Sequence, residues 1–411
     1  LAPDVTRTAS PSIAPALTSL AVGGFAIGTT EFVTMGLLPD IARGLDVSIP
    51  AAGRVISAYA LGVVVGAPLL AVLTARIPRT RLLMALMVAF ALGNVASALA
   101  PSYTGLVLAR FLSGVPHGAY FGIASLVAVS MADPGRRGRA AAFPLLGLTA
   151  ANVVGVPASS WLGQQLGWRA AYWFVAFVGL LTVALVWRLV PHVRAHEGAS
   201  RRQEVRALAK GQVWVTMAIG AIGFGGMFAV YSYIAPLLTE VAGWQPRAVP
   251  IALAVFGVGM TIGTVLGGRL ADWSVPRALL LGFTLTLAVL ASFPFAAHSR
   301  VGVAAAVVSL GIVGSITVNA LQLRLMDTAG PGAAALGASL NHSALNLANA
   351  SGAFLGGLVI DAGYGWTSPA WVGAGLAAIG LAMATASVLV DRRRAAAPTP
   401  APTTQIPAEV R

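Results

Sequence analysis

Two stretches, GVVVGAPLLAVLTARIPRTRLLM (residues 62–84) and GMTIGTVLGGRLADWSVPRALLL (259–281), align without a gap at an offset of 197 residues. A second pair, GWRAAYW (167–173) and GWTSPAW (365–371), repeats at an offset of 198. One such match between apolar segments can arise by chance, but two in nearly one register indicate a duplicated unit. Composition says what that unit is made of. Of 411 residues, 57% are hydrophobic and 9% charged, and the mean hydropathy is +0.82. A soluble domain carries about 25% charged residues, so this chain lacks the polar surface to cover itself in water. Its solvent is lipid.

About 20 apolar residues span a bilayer as helix. Twelve such runs lie near 16–38, 51–74, 81–99, 104–131, 138–163, 168–190, 212–238, 247–271, 277–297, 301–325, 333–361 and 368–390. All are far longer than the ~10-residue alternating strands of a membrane barrel. No signal-peptide pattern precedes the first run, so that helix is expected to be retained. The sequence therefore predicts an all-α membrane protein, with twelve transmembrane helices in two pseudo-symmetric six-helix bundles around a central cavity. The expected organisation is a tail over 1–15, bundles over 16–190 and 212–390, a basic linker over 191–211 and a disordered tail over 391–411. Parallel halves with substrate handled between them describe an alternating-access carrier.

The net charge of +13 raises the question of a nucleic-acid partner. Its distribution answers otherwise. With an even span count both termini share one side, and that side holds 18 of the 26 Lys and Arg residues: Arg76, Arg79, Arg81, Arg136, Arg137, Arg139, Arg188, Arg194, Arg201, Arg202, Arg206, Lys210, Arg269, Arg277, Arg324, Arg392, Arg393 and Arg394. The opposite loops hold Arg43, Arg54, Arg169, Arg247 and Arg300. The positive-inside rule then places both termini in the cytoplasm. No nucleic-acid partner is expected. With no cysteine, a disulfide framework and a thiolate metal site are excluded.

Several segments carry a family likeness. GTTEFVTMGLLPDIA (28–42), LARFLSGVPHGAYFG (108–122) and GLTAANVVGVPASSWLGQQLGWR (147–169) resemble the first-, fourth- and fifth-helix motifs of the major facilitator superfamily, and GGRLADW (267–273) its loop after the eighth helix. The closer likeness is to the drug:proton antiporter branch, with its arabinose efflux permeases and chloramphenicol exporters. Arg110, Gly114 and Gly118 fall on the fourth-helix motif, Gly155 and Pro157 on the fifth, and Gly268 and Asp272 on the loop. The resemblance implies a gating-loop role for Asp272, with Arg277 beside it. Departures accompany the likeness. In the first half Ala71, Ala75 and Pro78 replace the family's Gly, Asp and Gly, so Asp272 alone can latch a gate. Val156 separates Gly155 from Pro157, and Ser159–Ser160 replace a glycine pair, which weakens export over uptake.

Glu31 is the one acid deep within a span, and Arg110 the one arginine. A charge at a helix centre costs roughly 2.5–3.5 kcal/mol, so such an acid must be paired, neutral or wet. Glu31 precedes Leu38 by seven residues and Arg110 follows Thr104 by six, which puts both about 10 Å below one face. In the superfamily's arrangement their helices both line the cavity. Burial disfavours a charged carboxyl and a nearby guanidinium favours it, so a carboxyl under both influences can load and release a proton. Glu31 and Arg110 are candidates for proton coupling or substrate binding; a fixed structural pair is the other reading.

His117 lies two turns from Arg110 and is a third proton-coupling candidate, the alternative being a neutral ring satisfied by a backbone carbonyl. Ser339, His342, Asn346 and Asn349 share one face of the eleventh helix, and Phe224, Phe228 and Tyr231 one face of the seventh. Either stripe, with Asn152, can line the cavity or hold helices together. No metal site is expected. No P-loop occurs, so no cofactor is expected and the proton motive force is the energy source. The reading is a secondary active transporter, not an enzyme, exporting drug-like molecules or sugars from a bacterial cytoplasmic membrane in exchange for protons, as a monomer in the lipid bilayer. Proton-linked uptake, facilitated diffusion and a non-transporting receptor are the alternatives.

Overall fold

The computed structural model describes residues 13–74, 77–133, 137–193, 206, 208–330 and 334–396. Among them, twelve helices are long and apolar enough to cross a membrane. The first half holds α1 (Ala14–Gly36), α2 (Ile49–Ala67), α3 (Arg79–Leu99), α4 (Tyr103–Met131), α5 (Phe143–Leu166) and α6 (Arg169–Leu189). The second holds α7 (Gly211–Tyr231), α8 (Pro246–Trp273), α9 (Val275–Ala296), α10 (Arg300–Ala329), α11 (Leu340–Asp361) and α12 (Ser368–Arg393). Local chemistry starts several of them. Ser102 Oγ accepts from Gly105 N at the head of α4, and Ser299 Oγ from Gly302 N at the head of α10. These serines satisfy amides that no helical carbonyl can reach, and they stand at the 197-residue offset of the repeat.

Packing repeats with the sequence. In one half α2 packs on α4, α3 on α6 and α1 on α5; in the other α8 packs on α10, α9 on α12 and α7 on α11. A Cβ on Gly62 would meet the carbonyl of Phe111, and one on Gly66 that of Val115. Their counterparts at the same offset, Gly259 and Gly263, abut the carbonyls of Val308 and Ile312. From the facing helix Gly114 abuts the carbonyl of Tyr59, and Gly311 that of Phe256. Only glycine permits this approach of two backbones, and in lipid close packing is what holds helices together. Gly114→Val should therefore lower the melting temperature in detergent, at a cost of about 1–3 kcal/mol or more. Gly268→Ala should leave it unchanged, because nothing lies within 4 Å of its added Cβ.

The halves meet along two seams, α2 against α11 and α5 against α8. Ser57 Oγ donates to the Ala350 carbonyl at 2.9 Å, and an exposed pair, Arg54 with Asp361, closes to 3.8 Å. On the other seam a Cβ on Gly257 would meet the Asn152 carbonyl, and Gln164 Nε2 donates to the Pro246 carbonyl at 2.9 Å. Most of these contacts fall at the end of the bundle opposite the chain termini.

The structure departs from the predicted spans in four places. One is the last helix, which runs to Ala396, so that residues 391–396 of the tail expected to be disordered are helical. α1 stops at Gly36, and a short helix, Leu38–Leu45, follows with Pro39 in its first turn. The seventh span breaks rather than running from 212 to 238. A π turn at Ile219–Gly223 and irregular residues after Tyr231 interrupt it, in a segment weakened by Gly220, Gly223, Gly225 and Gly226. α10 runs to Ala329, beyond the predicted 325, so Arg324 lies within a helix and Arg110 is not the only such arginine. Arg324 is buried, and its Nη2 donates to Asp391 Oδ2 at 2.7 Å and Ser387 Oγ at 2.6 Å, both on α12. The tail residues 1–12 and 397–411, most of the linker 191–211, Ala75, Arg76, Arg136, Arg194, Arg201 and Arg202 lie outside the described residues, as do the side chains of Ala71 and Ser339.

Candidate functional site

A cavity of about 210 Å³ lies between the halves, walled by α1, α4 and α5 on one side and α7, α8, α10 and α11 on the other. Glu31 and Phe32 enter from α1, His117 from α4, and Phe224, Met227 and Phe228 from α7. Phe256 and Met260 enter from α8, Asn319 and Gln322 from α10, and Asn341, His342 and Asn346 from α11. The walls differ in kind. α7 and α8 offer rings and thioethers; α10 and α11 offer amides and an imidazole.

Toward the end away from the termini the cavity is stopped by aromatic packing. Phe32 stacks on Phe228 with ring centroids 6.4 Å apart and meets Tyr231 edge-on at 6.0 Å. Tyr231 in turn stacks on Phe256 at 4.0 Å. Because Phe32 comes from the first half and the others from the second, this cluster ties the halves together. Toward the terminal end the wall is more open, with Thr264 exposed and Asn319 and Gln322 half-buried. There Phe121 of α4 lies parallel to His342 of α11 at 5.4 Å, a second contact across the halves.

Glu31 is 7% exposed, and its carboxyl group makes no hydrogen bond or ion pair among the described residues. The fixed structural pair with Arg110, the alternative reading, is not formed. Arg110 is instead wholly buried one residue away, donating from Nη1 to Thr30 Oγ1 at 2.8 Å and from Nη2 to the Thr30 carbonyl at 3.0 Å. Thr30 Oγ1 passes its own hydrogen to Asn94 Oδ1 at 2.6 Å. The guanidinium sits 4.2 Å from the Tyr59 ring centroid and 5.3 Å from that of Tyr172, which adds cation–π attraction. Equal depth does bring the two helices together at this level, but the partner of Arg110 is the residue beside Glu31, not the Glu31 carboxylate.

His117 Nδ1 lies 3.0 Å from Tyr59 Oη, so its partner is a hydroxyl rather than a backbone carbonyl. Tyr59 thereby joins His117 to Arg110. Of the residues expected along the cavity wall, Phe224, Phe228, His342 and Asn346 line it, whereas Asn152, Tyr231 and Asn349 stand behind it. Asn152 Nδ2 turns back to the Leu148 carbonyl at 2.9 Å, and both side-chain atoms of Asn349 are buried without a partner among the described residues. Asn346 Nδ2 donates to the His342 carbonyl at 3.0 Å. The Oδ1 atoms of Asn341 and Asn346 are buried and, among the described residues, unpartnered. Asp272 and Arg277 are exposed, with the Arg277 guanidinium 4.7 Å from the Trp273 ring. Gly118 packs on Ala67, Gly155 on Thr29 and Phe25, and Pro157 opens the helical turn after a π turn at Ala151–Gly155.

Residues 20–350 match the family model of the Major Facilitator Superfamily. The chain belongs to the Major Facilitator Superfamily. It is a multi-pass membrane transporter of that superfamily. Among superfamily relatives, it is 43% identical to the inner membrane transport protein YdhP of Escherichia coli (strain K12), over 89% of this chain and 94% of the relative. It is 32% identical to a chloramphenicol resistance protein of Streptomyces lividans, over 89% and 94%. Its fold is that of a bacterial homolog of the human lysosomal transporter Spinster, solved in an inward-facing, unoccupied conformation. The TM-score is 0.74 at 16% identity, covering 94% of this chain and 98% of that one.

Tyr59, Tyr172, Thr30 and Asn94 around Arg110, and Asn341, Asn319 and Gln322 in the wall, are not among the residues predicted from sequence. Asn94 carries a usable signal, an amide in the middle of an otherwise apolar span. Tyr59 and Tyr172 carry none, since aromatic residues in a span are ordinarily packing.

Proposed function

We propose that this transporter exports small drug-like or sugar-like molecules in exchange for protons, with Glu31 carrying the proton. The observation behind this is the Glu31 carboxyl itself, held in the central cavity among side chains of both halves and, among the described residues, free of any ion pair. A fixed structural pair would have spent the charge on Arg110. An unpaired acid in a cavity that opens alternately to two aqueous phases is free to exchange its proton with each. Loss of the proton leaves a costly bare charge on a buried side chain within the membrane, so a state change that brings substrate or water to Glu31 alters that cost. Proton and substrate then occupy the cavity in turn, and proton entry down its gradient drives substrate the other way.

Both termini lie in the cytoplasm on this reading, supported by the basic residues on the terminal side. The bacterial cytoplasmic membrane is its location, in keeping with the inner membrane protein YdhP. Export is favoured by the likeness to a chloramphenicol resistance protein; uptake is the second reading, favoured by Val156 and the Ser159–Ser160 pair in the fifth-helix motif. No cofactor is required, and one chain contains the whole cavity.

Reconstituted protein in liposomes with an imposed pH gradient tests the proposal. Accumulation of a chloramphenicol-class compound or a pentose against its own gradient, collapsed by a protonophore, is the expected result. Movement that ignores the pH gradient overturns proton coupling, and accumulation with the opposite sense overturns export.

A further inference from the structure

A second large hollow lies outside the central cavity, on the outer surface of the first half where α3 and α4 meet Leu70, Thr74 and Ile77 of the segment that follows α2. It is a groove of about 550 Å³ with apolar walls. Its floor on α3 is a row of small residues, Ala85, Ala89, Gly93 and Ala96, and the exposed side chains of Leu92 and Leu112 form its lips. From Leu82 to Ala96 the groove runs about 21 Å along the helix, longer than the ~15 Å depth of one leaflet's hydrocarbon. A surface hollow at this depth faces acyl chains rather than water.

The duplication supplies an internal comparison. Along α3, positions 82, 83, 86, 87, 90, 94, 97 and 98 are buried, and so are their counterparts along α9 at 278, 279, 282, 283, 286, 290, 293 and 294, whereas Ala91 and Gly93 are buried in α3 alone. Counted from the helix starts, Arg79 and Val275, the offset is 196, one fewer than the 197 along α2 and α8, so past the turn Ala85, Ala89 and Gly93 correspond to Leu281, Leu285 and Val289. At these three positions the second half carries large side chains where the first half carries small ones; at the fourth, Ala96 corresponds to Ser292. Arg81 corresponds to Arg277, so each face begins with an arginine near the membrane surface.

Arg81 decides the kind of occupant. It is exposed, in the first turn of α3, and one turn before Ala85 on the groove face. Its side chain leans toward the helix start and thus toward the head-group layer, where a guanidinium pairs with phosphate oxygens. We infer that the groove holds an acyl chain of a phospholipid with an anionic head group, whose phosphate is bound by Arg81.

The test uses the full-length protein. A phosphatidylglycerol carrying a diazirine on its acyl chain is photolysed with the protein in liposomes, and the labelled peptides are mapped. Label concentrated on residues 85–96 and 112–116, about fivefold over Leu281–Ser292, is expected; equal labelling of the two faces overturns the proposal. In native mass spectrometry the wild type should retain phosphatidylglycerol about fivefold over phosphatidylcholine. Arg81→Gln should bring that ratio near one. Ala85→Leu with Ala89→Leu, which copies the second half, should abolish retention. Gly93 is left untouched because a Cβ there would meet Ser113 at 2.6 Å. Undiminished retention by the filled variant, or equal retention of the two lipids by the wild type, also overturns it. Photolabelling of the wild type decides the question even if the filled variant does not fold.

Discussion

Glu31→Gln is expected to reduce accumulation driven by a pH gradient to the equilibrium level in liposomes, while exchange of labelled for unlabelled substrate continues. Glutamine keeps the volume of the side chain and its capacity to accept a hydrogen bond, but it cannot lose a proton. The packing beside it, Phe32 on Phe228 and Tyr231, has no cause to change. What is removed is the coupling alone. Glu31→Asp should restore part of the gradient-driven activity, because the ionisable group returns in a slightly displaced position. Wild-type accumulation by Glu31→Gln would take Glu31 out of the coupling mechanism. Loss of both exchange and accumulation, in folded protein, would make Glu31 a substrate contact instead.

That a lone acid marks the site is legible in the sequence, and the reason is the solvent. In lipid each intramembrane charge has a cost, so Glu31 and Arg110 stand out against a chain with 9% charged residues. The spans and the duplication are legible for the same reason, since apolar length and repeated glycines are imposed by the bilayer and by backbone contact. Gly62, Gly66, Gly259 and Gly263 are weak as a motif among 47 glycines, yet all four take carbonyls of the facing helix at one register. What cannot be read is which neighbour each polar group chooses. Depth along α1 and α4 brings Arg110 beside Glu31, but one residue of helix rotation separates a carboxylate partner from the Thr30 carbonyl. Arg324 reads as a loop charge because its partners, Ser387 and Asp391, lie on a helix more than sixty residues away. The asymmetry of the halves is equally hidden. At the repeat offset Arg110 falls on Val307, buried in α10, so the second half has no arginine at the corresponding position.

Replacing Arg110 separates stability from function, because transport is expected to fall more than stability does. The guanidinium is wholly buried, makes two hydrogen bonds to Thr30, and forms no ion pair among the described residues. Hydrogen bonds to a charged group contribute about 1.5–3 kcal/mol each. Taking the charge out of water costs several kcal/mol, so the two effects nearly cancel. Arg110→Met should therefore melt in detergent close to the wild type. Arg110→Lys should melt lower, because a compact ammonium keeps the desolvation cost but cannot bond Thr30 Oγ1 and the Thr30 carbonyl together while lying between Tyr59 and Tyr172. Both variants should transport at about a tenth of the wild-type rate or less, the loss of at least one such bond from the working cycle. Unlike Glu31→Gln, they should lose exchange as well as accumulation, because Arg110 holds the backbone of α1 at the residue before Glu31 and joins His117 through Tyr59. Wild-type transport by Arg110→Met would reduce the whole network to packing. A large fall in its melting temperature would show that the guanidinium is retained for stability, and the cavity beside it would then need another explanation for keeping a charge so deep.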